Sequence, residues 1–237
     1  MTVPALATDP DQPQIVATCN GILVPAAPHL RPGMIAAMQD GGYERHELAI
    51  GLAAIKSGAR ILELGAGSGV VGAVIARHCN PAAMLSVEAN PHLIPHVTAL
   101  YAVNGLADRI SLRHGVVVTA PDAPDRVTFF VNGNFLGSGL APQKIERTQA
   151  VEVPVLPYAA LKQGFAHDTI MMDIEGGELD FLRHADLTGV DTFIAEMHRN
   201  IYGRDGMAEI RALLQAAGLV MDAEISKAGV HLYRRGR

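Results

Sequence analysis

One stretch of this chain carries most of the information about its fold: Glu63-Leu64-Gly65-Ala66-Gly67-Ser68-Gly69-Val70-Val71-Gly72. An apolar run, Arg60 to Leu64, precedes the glycines, and a helix-forming segment, Val70 to His78, follows them. This order predicts a strand, a tight turn and a helix. Glycines permit the tight turn and let backbone amides approach a ligand closely, and the first helical turn offers unpaired amides. A purely structural turn would not need so many glycines, so we expect a ligand-binding turn here.

The rest of the chain alternates between predicted strands and helices. Helices are predicted at Tyr43 to Ser57, from Asn90-Pro91 onward, and at Ala208 to Ala217. This alternation predicts an α/β fold with a mostly parallel seven-stranded sheet, helices on both faces and a closing antiparallel hairpin. The strands beyond Arg60 to Leu64 are predicted at Met84 to Glu88, Ile110 to Val118, Ile170 to Asp173, Thr192 to Glu196, Leu219 to Ile225 and Gly229 to Arg234.

Two segments stand apart from this regular core. Residues 1–20 are rich in Pro, Thr, Asp and Gln, which predicts a flexible N-terminal arm. Residues 21–237 are predicted to form a single domain. Within it, residues 128–158 break the alternation, because two strand-like runs flank turns that contain Gly and Ser. We expect a β-hairpin or a lid there, shaping the pocket of a second ligand.

Composition limits the function classes. The formal net charge is −5, so a nucleic-acid partner is not favoured. No stretch approaches the roughly 18 apolar residues of a membrane span, and the N-terminus lacks the basic start and apolar run of a signal peptide. Cys19 and Cys79 cannot form a disulfide framework, which fits a cytoplasmic protein. The sequence does not indicate an oligomeric state.

An acidic residue follows the glycine turn at an informative distance. Glu88 ends the second predicted strand, nineteen positions after Gly69. An acid there can accept hydrogen bonds from both ribose hydroxyls of a nucleoside ligand, and so predicts either a nicotinamide cofactor or S-adenosylmethionine. Glu63 before the glycines, the closing hairpin and the lack of room for a second domain favour S-adenosylmethionine. A nicotinamide-dependent oxidoreductase and a non-catalytic nucleoside-binding module remain the alternatives.

Several further motifs, in this order, make the chain resemble the FkbM family of methyltransferases. The resemblance covers roughly residues 42–234 and is most specific at Met172-Asp173-Ile174-Glu175-Gly176-Gly177-Glu178. It implies a Rossmann-like class I methyltransferase fold and methyl transfer from S-adenosylmethionine to a hydroxyl of a small molecule, such as a sugar or secondary metabolite. The other matching pieces are Gly42-Tyr43-Glu44, Ile61 to Gly69, Val87-Glu88-Ala89-Asn90-Pro91, Val103-Asn104-Gly105-Leu106, Gly137-Ser138-Gly139-Leu140 and Val151-Glu152-Val153-Pro154-Val155.

Residues expected at the cofactor lie on the glycine turn and at the ends of nearby strands. Tyr43 and Glu44 could cover the cofactor, or be a packing aromatic and a first-turn acid. His114 and Gly115 end the third predicted strand, where adenine would lie. The full set of expected cofactor contacts is Tyr43, Glu44, Glu63, Gly65, Ala66, Gly67, Ser68, Gly69, Glu88, Ala89, His114, Gly115 and Asp173.

Ligands of open α/β sheets bind at the carboxyl ends of the strands. The candidate catalytic residues are therefore Asp173 and Glu175 after the fourth predicted strand, and Glu196 and His198 after the fifth. Asp173 is expected to orient the acceptor, and His198 to act as a general base. Glu175 suits a helix cap as well as a catalytic role. Asp173, Glu196 and His198 could also hold Mg²⁺ or Mn²⁺, although the sequence commits to no metal site.

Overall fold

The structure, a computed structural model, describes residues 13–132, 137–140 and 148–236. The helices of this part are α1 (Pro32–Gln39), α2 (Arg45–Ala54), α3 (Val70–Cys79), α4 (Ile94–Val103), α5 (Tyr158–Gly164), α6 (Glu178–His184) and α7 (Arg199–Ala216). The strands are β1 (Ile15–Cys19), β2 (Ile22–Pro25), β3 (Arg60–Leu64), β4 (Ala83–Glu88), β5 (Ile110–His114), β6 (Val116–Val118), β7 (Arg126–Asn132), β8 (Thr148–Pro157), β9 (Thr169–Met172), β10 (Thr192–Glu196), β11 (Leu219–Met221) and β12 (Val230–Arg235).

Seven of these strands form the main sheet, in the order β11-β12-β10-β9-β3-β4-β5. The strands from β10 to β5 are parallel to their neighbours. At the other edge, β12 is antiparallel to both β10 and β11. The predicted α/β fold, with its mostly parallel seven-stranded sheet and closing antiparallel hairpin, is therefore confirmed.

Hydrophobic residues cover both faces of this sheet. Ile61, Met171 and Ile194 point to one face and pack in a core with residues of α2, α3 and α4. Their chain neighbours Leu62 and Ile170 point to the other face and pack with residues of α5, α6 and α7. Because side chains alternate along a strand, strands that are buried on both faces need continuous apolar runs, and these strands have them.

The predicted strand from Ile110 to Val118 is divided into two strands of different sheets. β5 ends the main sheet, whereas β6 pairs in parallel with β8 in a separate three-stranded sheet of order β6-β8-β7. Gly115 lies at the division. A Cβ atom there would come within 2.7 Å of Leu156 Cγ, so only glycine lets the chain pass β8 this closely.

The excursion at residues 128–158 contains the expected β-hairpin. β7 and β8 pair antiparallel from Arg126 with Pro154 to Asn132 with Thr148. Residues 133–136 and 141–147 lie outside the described residues. A role for this hairpin as a lid stays a prediction.

The N-terminal region differs from the expected flexible arm. β1 pairs antiparallel with β2, and Cys19 is completely buried. The part of the predicted arm from residue 15 onward is therefore packed on the domain, because its alternate side chains enter the core. Residues 1–12 lie outside the described residues.

Several element ends also differ from the predictions. α2 begins at Arg45, two residues late, because Glu44 before it has a left-handed backbone. β11 ends at Met221, because Asp222 starts a turn in which its carbonyl accepts a hydrogen bond from the Ser226 amide. α7 begins nine residues before the predicted helix and is kinked at Gly203. Among the described residues, no helix has both the length and the apolar character needed to cross a membrane.

Candidate functional site

A cleft opens at the carboxyl ends of the main strands, between β3 and β9, where the order of strands in the sheet reverses direction. The turns after these strands touch each other there. Gly65 follows β3 with φ +88°, and a Cβ atom on it would lie 1.8 Å from the carbonyl oxygen of Asp173, which follows β9. Glycine at this position brings the turn after β3 and the acid after β9 into one site.

The cleft has a volume of about 450 Å³ and combines apolar walls with several carboxyl groups. Its size suits a ligand of the size of a nucleoside derivative. The apolar walls include Leu64, Val71, Val87, Leu93, Val116, Val117, Phe129 and Phe181, and the acids that line it include Glu44, Glu47, Glu88, Asp173 and Glu175.

Glu88 is buried at the end of β4, directly beside the glycine turn. Its Oε2 accepts a hydrogen bond from the Gly67 amide at 2.7 Å, and its Oε1 accepts one from the Asn90 amide at 2.7 Å. Burial raises the pKa of Glu88 to about 7, although these backbone hydrogen bonds oppose the rise. Each carboxylate oxygen can accept a second hydrogen bond, so the group keeps acceptor capacity toward the cleft.

Tyr43 and Glu44 also line the cleft, and their contact with the cofactor stays a prediction. The Tyr43 hydroxyl lies 2.9 Å from Ser68 Oγ, which ties the start of α2 to the glycine turn. Burial raises the pKa of Tyr43, so the hydroxyl keeps its proton. Ala66, Ser68, Ala89 and Gly115 line the cleft as well.

Three expected cofactor residues, Glu63, Gly69 and His114, do not line the cleft. Glu63 and His114 make hydrogen bonds with neighbouring residues instead. Glu63 is buried beneath the turn, where Ser86 Oγ and the Gly72 amide donate to its carboxylate. Burial raises the pKa of Glu63 to about 7. His114 Nε2 lies 3.1 Å from the Ala89 carbonyl oxygen, and Gly69 precedes the first residue of α3.

His198 precedes α7 and lies behind Asp173 and Glu175, which line the cleft, whereas His198 and Glu196 do not line it. Its Nδ1 lies 3.1 Å from Glu178 Oε1, and its Nε2 lies 3.3 Å from Glu175 Oε2 and 4.0 Å from Asp173 Oδ1. The hydrogen bonds with Glu175 and Glu178 raise the pKa of His198 to about 10. The expectation of a general base therefore needs correction, because an imidazole that is protonated between two carboxylates donates hydrogen bonds.

Asp173 is the best-placed acid of this group. Its Oδ1 is buried and has no hydrogen-bond partner among the described residues. Burial, followed by repulsion from Glu196 and Glu175, raises the pKa of Asp173 to about 8. Unlike His198, this group has an oxygen that is free to accept a hydrogen bond.

Glu175 is not a hydrogen-bonding helix cap. α6 begins at Glu178, and the residue before it, Gly177, makes no side-chain cap. Glu175 has a left-handed backbone, and its Oε1 accepts a hydrogen bond from the Gly137 amide at 2.9 Å. The hydrogen bond with His198 lowers the pKa of Glu175. The residue therefore connects the excursion with the imidazole.

Comparison with protein families gives the class of the protein. The model of the methyltransferase FkbM domain matches residues 58–221, more than half of the chain. The chain belongs to the FkbM methyltransferase family. This membership places it among methyltransferases and not among nicotinamide-dependent oxidoreductases.

No curated protein matches this FkbM methyltransferase significantly. Comparison with solved structures finds similarity at low identity. A Streptococcus pneumoniae protein described as a tRNA methyltransferase, in complex with S-adenosyl-L-methionine, is 15% identical over 80% of this chain and 72% of its own, with a TM-score of 0.49. A precorrin-6y C5,15-methyltransferase from Geobacter metallireducens is 11% identical over 81% of this chain and 88% of its own, with a TM-score of 0.44.

Two acids of this FkbM methyltransferase join the site although they were not among the expected residues. Glu178, with no exposed surface, accepts hydrogen bonds from His198 and from the amides of Ile174 and Gly176. The sequence feature that could have identified Glu178 is its place as the second Glu of the Asp-Ile-Glu-Gly-Gly-Glu motif. Glu47 lines the cleft three residues after Glu44, and burial raises its pKa well above the usual value. The spacing of three residues between Glu44 and Glu47, which places side chains on the same side of a helix, could have identified Glu47.

The structure also brings together the three residues considered for a cation. Asp173, Glu196 and His198 each offer one ligand atom, and these atoms all lie within 4.8 Å of one another. All three side chains are half-buried.

Proposed function

We propose that this FkbM protein transfers a methyl group from S-adenosylmethionine to a hydroxyl oxygen of a small molecule such as a sugar or secondary metabolite. The observation that carries the proposal is the meeting of two half-sites in one cleft. The glycine turn with Glu88 forms one half, and Asp173 with the residues around His198 forms the other. Gly65 joins the two halves.

The cofactor half suits an adenosine moiety. Glu88 has acceptor capacity for ribose hydroxyls, Gly67 lines the cleft, and Val116, Val117 and Phe129 offer apolar surface for a base. The bound cofactor supplies a methyl group that its sulfonium already activates. The chain's own contribution is therefore chiefly to hold both partners in line.

The acceptor half suits a group that loses a proton. A hydroxyl must give up its proton as its oxygen is methylated, and Asp173 Oδ1 is a buried acceptor without a partner among the described residues. We assign to Asp173 the role of orienting the hydroxyl and receiving its proton. His198 and Glu175 hold the surrounding charges in place through their mutual hydrogen bond.

A small acceptor fits this cleft better than a nucleic acid. Its volume of about 450 Å³ suits a small molecule, and Glu175, whose pKa is lowered by its hydrogen bond with His198, keeps a negative charge that would oppose a phosphate. The apolar Leu140 on the excursion also lines the cleft and is half-exposed, which suits contact with the less polar part of a metabolite.

The experiment that tests the proposal measures binding and turnover separately. Calorimetry with S-adenosylmethionine and with NAD should give binding of S-adenosylmethionine alone. Purified protein with methyl-labelled cofactor and a panel of hydroxylated, amino and carboxylated metabolites should transfer label to hydroxylated compounds. Preferred binding of NAD would contradict the cofactor assignment. Label found only on amines or carboxylates would contradict the assignment of oxygen in a hydroxyl as the acceptor atom.

A further inference from the structure

We propose that Asp173, Glu196 and His198 bind one divalent cation, Mn²⁺ or Mg²⁺, on the acceptor side of the cleft. Binding of the ion depends only on these residues. Its role in turnover rests on the proposed function.

The backbone places the three donors at one point. Asp173 follows the last residue of β9, and Glu196 is the last residue of the neighbouring parallel strand β10. His198 comes two residues later. Since the carboxyl ends of adjacent parallel strands lie side by side, both acids and the imidazole reach the same position, and their ligand atoms lie within 4.8 Å of one another.

The distance between Asp173 and His198 suits a shared ion better than a direct bond. Asp173 Oδ1 and His198 Nε2 are 4.0 Å apart, which is too long for a hydrogen bond. An ion that lies about 2.1 Å from each ligand places two ligand atoms roughly 3 to 4.2 Å apart. Two carboxylates and one imidazole are donors that Mn²⁺ and Mg²⁺ accept.

A buried oxygen without a partner gives a second indication. Asp173 Oδ1 is buried and has no hydrogen-bond partner among the described residues. A buried oxygen without a partner is costly, and a cation beside it removes part of that cost.

Glu178 orients the imidazole as metal sites require. Its Oε1 lies 3.1 Å from His198 Nδ1, so Nδ1 carries a proton and Nε2 is the nitrogen that faces Asp173. A cation bound at Nε2 would displace the proton that this nitrogen otherwise shares with Glu175. Metal-ligating histidines almost always donate their other ring N–H to a carboxylate or carbonyl in this way. A cationic amino group at the same position would need only carboxylates as partners and would not require an imidazole whose Nε2 faces the site.

A cation here would contribute to acceptor binding. Three protein ligands leave about three positions of an octahedral ion for water and acceptor oxygens. One of these positions would take the acceptor hydroxyl and lower its pKa, which would ease the loss of its proton. An acceptor with a second oxygen beside the hydroxyl would fill two positions.

Mn²⁺ binding to the full-length protein without cofactor tests the site directly. Electron paramagnetic resonance of free Mn²⁺ should show one bound ion per chain, and added Mg²⁺ should compete for it. Asp173→Asn and Glu196→Gln should each weaken binding by at least about tenfold, because even an outer-shell change costs roughly 10–100-fold. Glu47→Gln is the matched control, since it replaces another carboxyl group of the same cleft by an amide without removing a ligand, and it should change affinity far less.

The wild-type protein supplies a readout that does not depend on the folding of any variant. Electron spin echo spectra of the bound Mn²⁺ should show nitrogen modulation from His198, and His198→Ala should abolish it. No Mn²⁺ binding, binding without nitrogen modulation, or equal binding in all variants would overturn the proposal. Cofactor binding and turnover in the presence of EDTA are measured on the same samples, so turnover that persists in EDTA leaves the proposed function standing.

Discussion

The amide nitrogen of Gly67 lies 2.7 Å from Oε2 of Glu88, which holds the turn after β3 against the acid that ends β4. A single carboxylate thus supports the glycine turn and lines the cleft in which we propose that the ribose binds. Loss of this carboxylate should therefore weaken cofactor binding in two ways, because it releases the glycine turn and removes a hydrogen-bond acceptor.

The first prediction concerns this carboxylate. Glu88→Ala should weaken S-adenosylmethionine binding by about 1–3 kcal/mol, the usual range for hydrogen bonds to a charged group. Gly67→Val should abolish binding, because its side chain would enter the cleft beside the cofactor. Calorimetry checks both, with the exposed Glu224→Gln as control. Unchanged affinity in both variants, with a native circular dichroism spectrum, would show that the cofactor binds elsewhere.

The second prediction concerns the pH dependence of cofactor affinity. Burial raises the pKa of Glu88 to about 7 in the free protein. Ribose hydroxyls donate to the ionised carboxylate, so protonation competes with binding below this pH. Affinity should therefore rise from pH 6 to pH 8, by up to about tenfold per unit below the pKa. Glu88→Gln should remove this dependence, and a profile that is equally steep in the variant would refute the assignment.

The third prediction concerns stability and Glu63. Burial raises the pKa of Glu63 in the folded protein to about 7, above its ordinary value of 4.5. A folded-state pKa above the unfolded one gives a contribution to stability that is present below about pH 4.5 and is lost as the pH rises to about 7. The change is about 3 kcal/mol.

Urea unfolding from pH 4.5 to 8 measures this contribution. The free energy of unfolding of the wild type should fall relative to that of Glu63→Gln over this window. A difference between the two proteins that stays constant with pH would mean that Glu63 is already ionised in the fold.

The fourth prediction concerns turnover. Asp173→Asn keeps the shape of the side chain and removes its charge, so kcat should fall by roughly 100-fold or more, as for positioned acid–base groups. Cofactor affinity should change much less. Single-turnover kinetics and calorimetry separate the two effects. Near-normal turnover in this variant would reduce Asp173 to a structural residue.

The fifth prediction concerns the link between Glu175 and the excursion. Glu175→Ala removes the acceptor of the Gly137 amide, so hydrogen exchange at Gly137 should accelerate by about tenfold or more. The KM for the acceptor should rise as well if the hairpin covers it. Glu152→Gln is the control, because Glu152 lies on the same hairpin and accepts from the Thr128 hydroxyl instead. Equal exchange at Gly137 in the wild type and the Glu175 variant would show that this hydrogen bond does not hold the hairpin.

The main sheet could be predicted from the sequence because its strands carry continuous apolar runs with glycines between them. Ile61 and Leu62 illustrate this, since each faces a different core. The division after His114 could not be predicted, because β5 and β6 are both apolar and extended and differ only in their partners. Pairing of β6 with β8 joins residues about 40 positions apart, which no local pattern reveals.

The candidate site shows the same limit. Asp173, Glu175 and His198 could be placed at strand ends from the sequence, since parallel strands deliver their ends to one edge of the sheet. Their mutual contacts could not. Glu178 reaches His198 from the next helix over a separation of 20 residues and changes the protonation of the imidazole. Glu63 shows the opposite error. Its position before the glycines was expected at the cofactor, but its side chain lies beneath the glycine turn and accepts a hydrogen bond from Ser86.

The chain leaves the main sheet at Gly115 and is back against the same point at Leu156. An insertion whose two ends touch can change in length and sequence without straining the framework that carries it. Relatives could thus acquire new acceptors by replacing the outer part of this region, while Val116, Val117 and Phe129 stay in place for the cofactor. Chimeras that exchange residues 130–150 between relatives are therefore a natural starting point for redirecting such an enzyme to another acceptor.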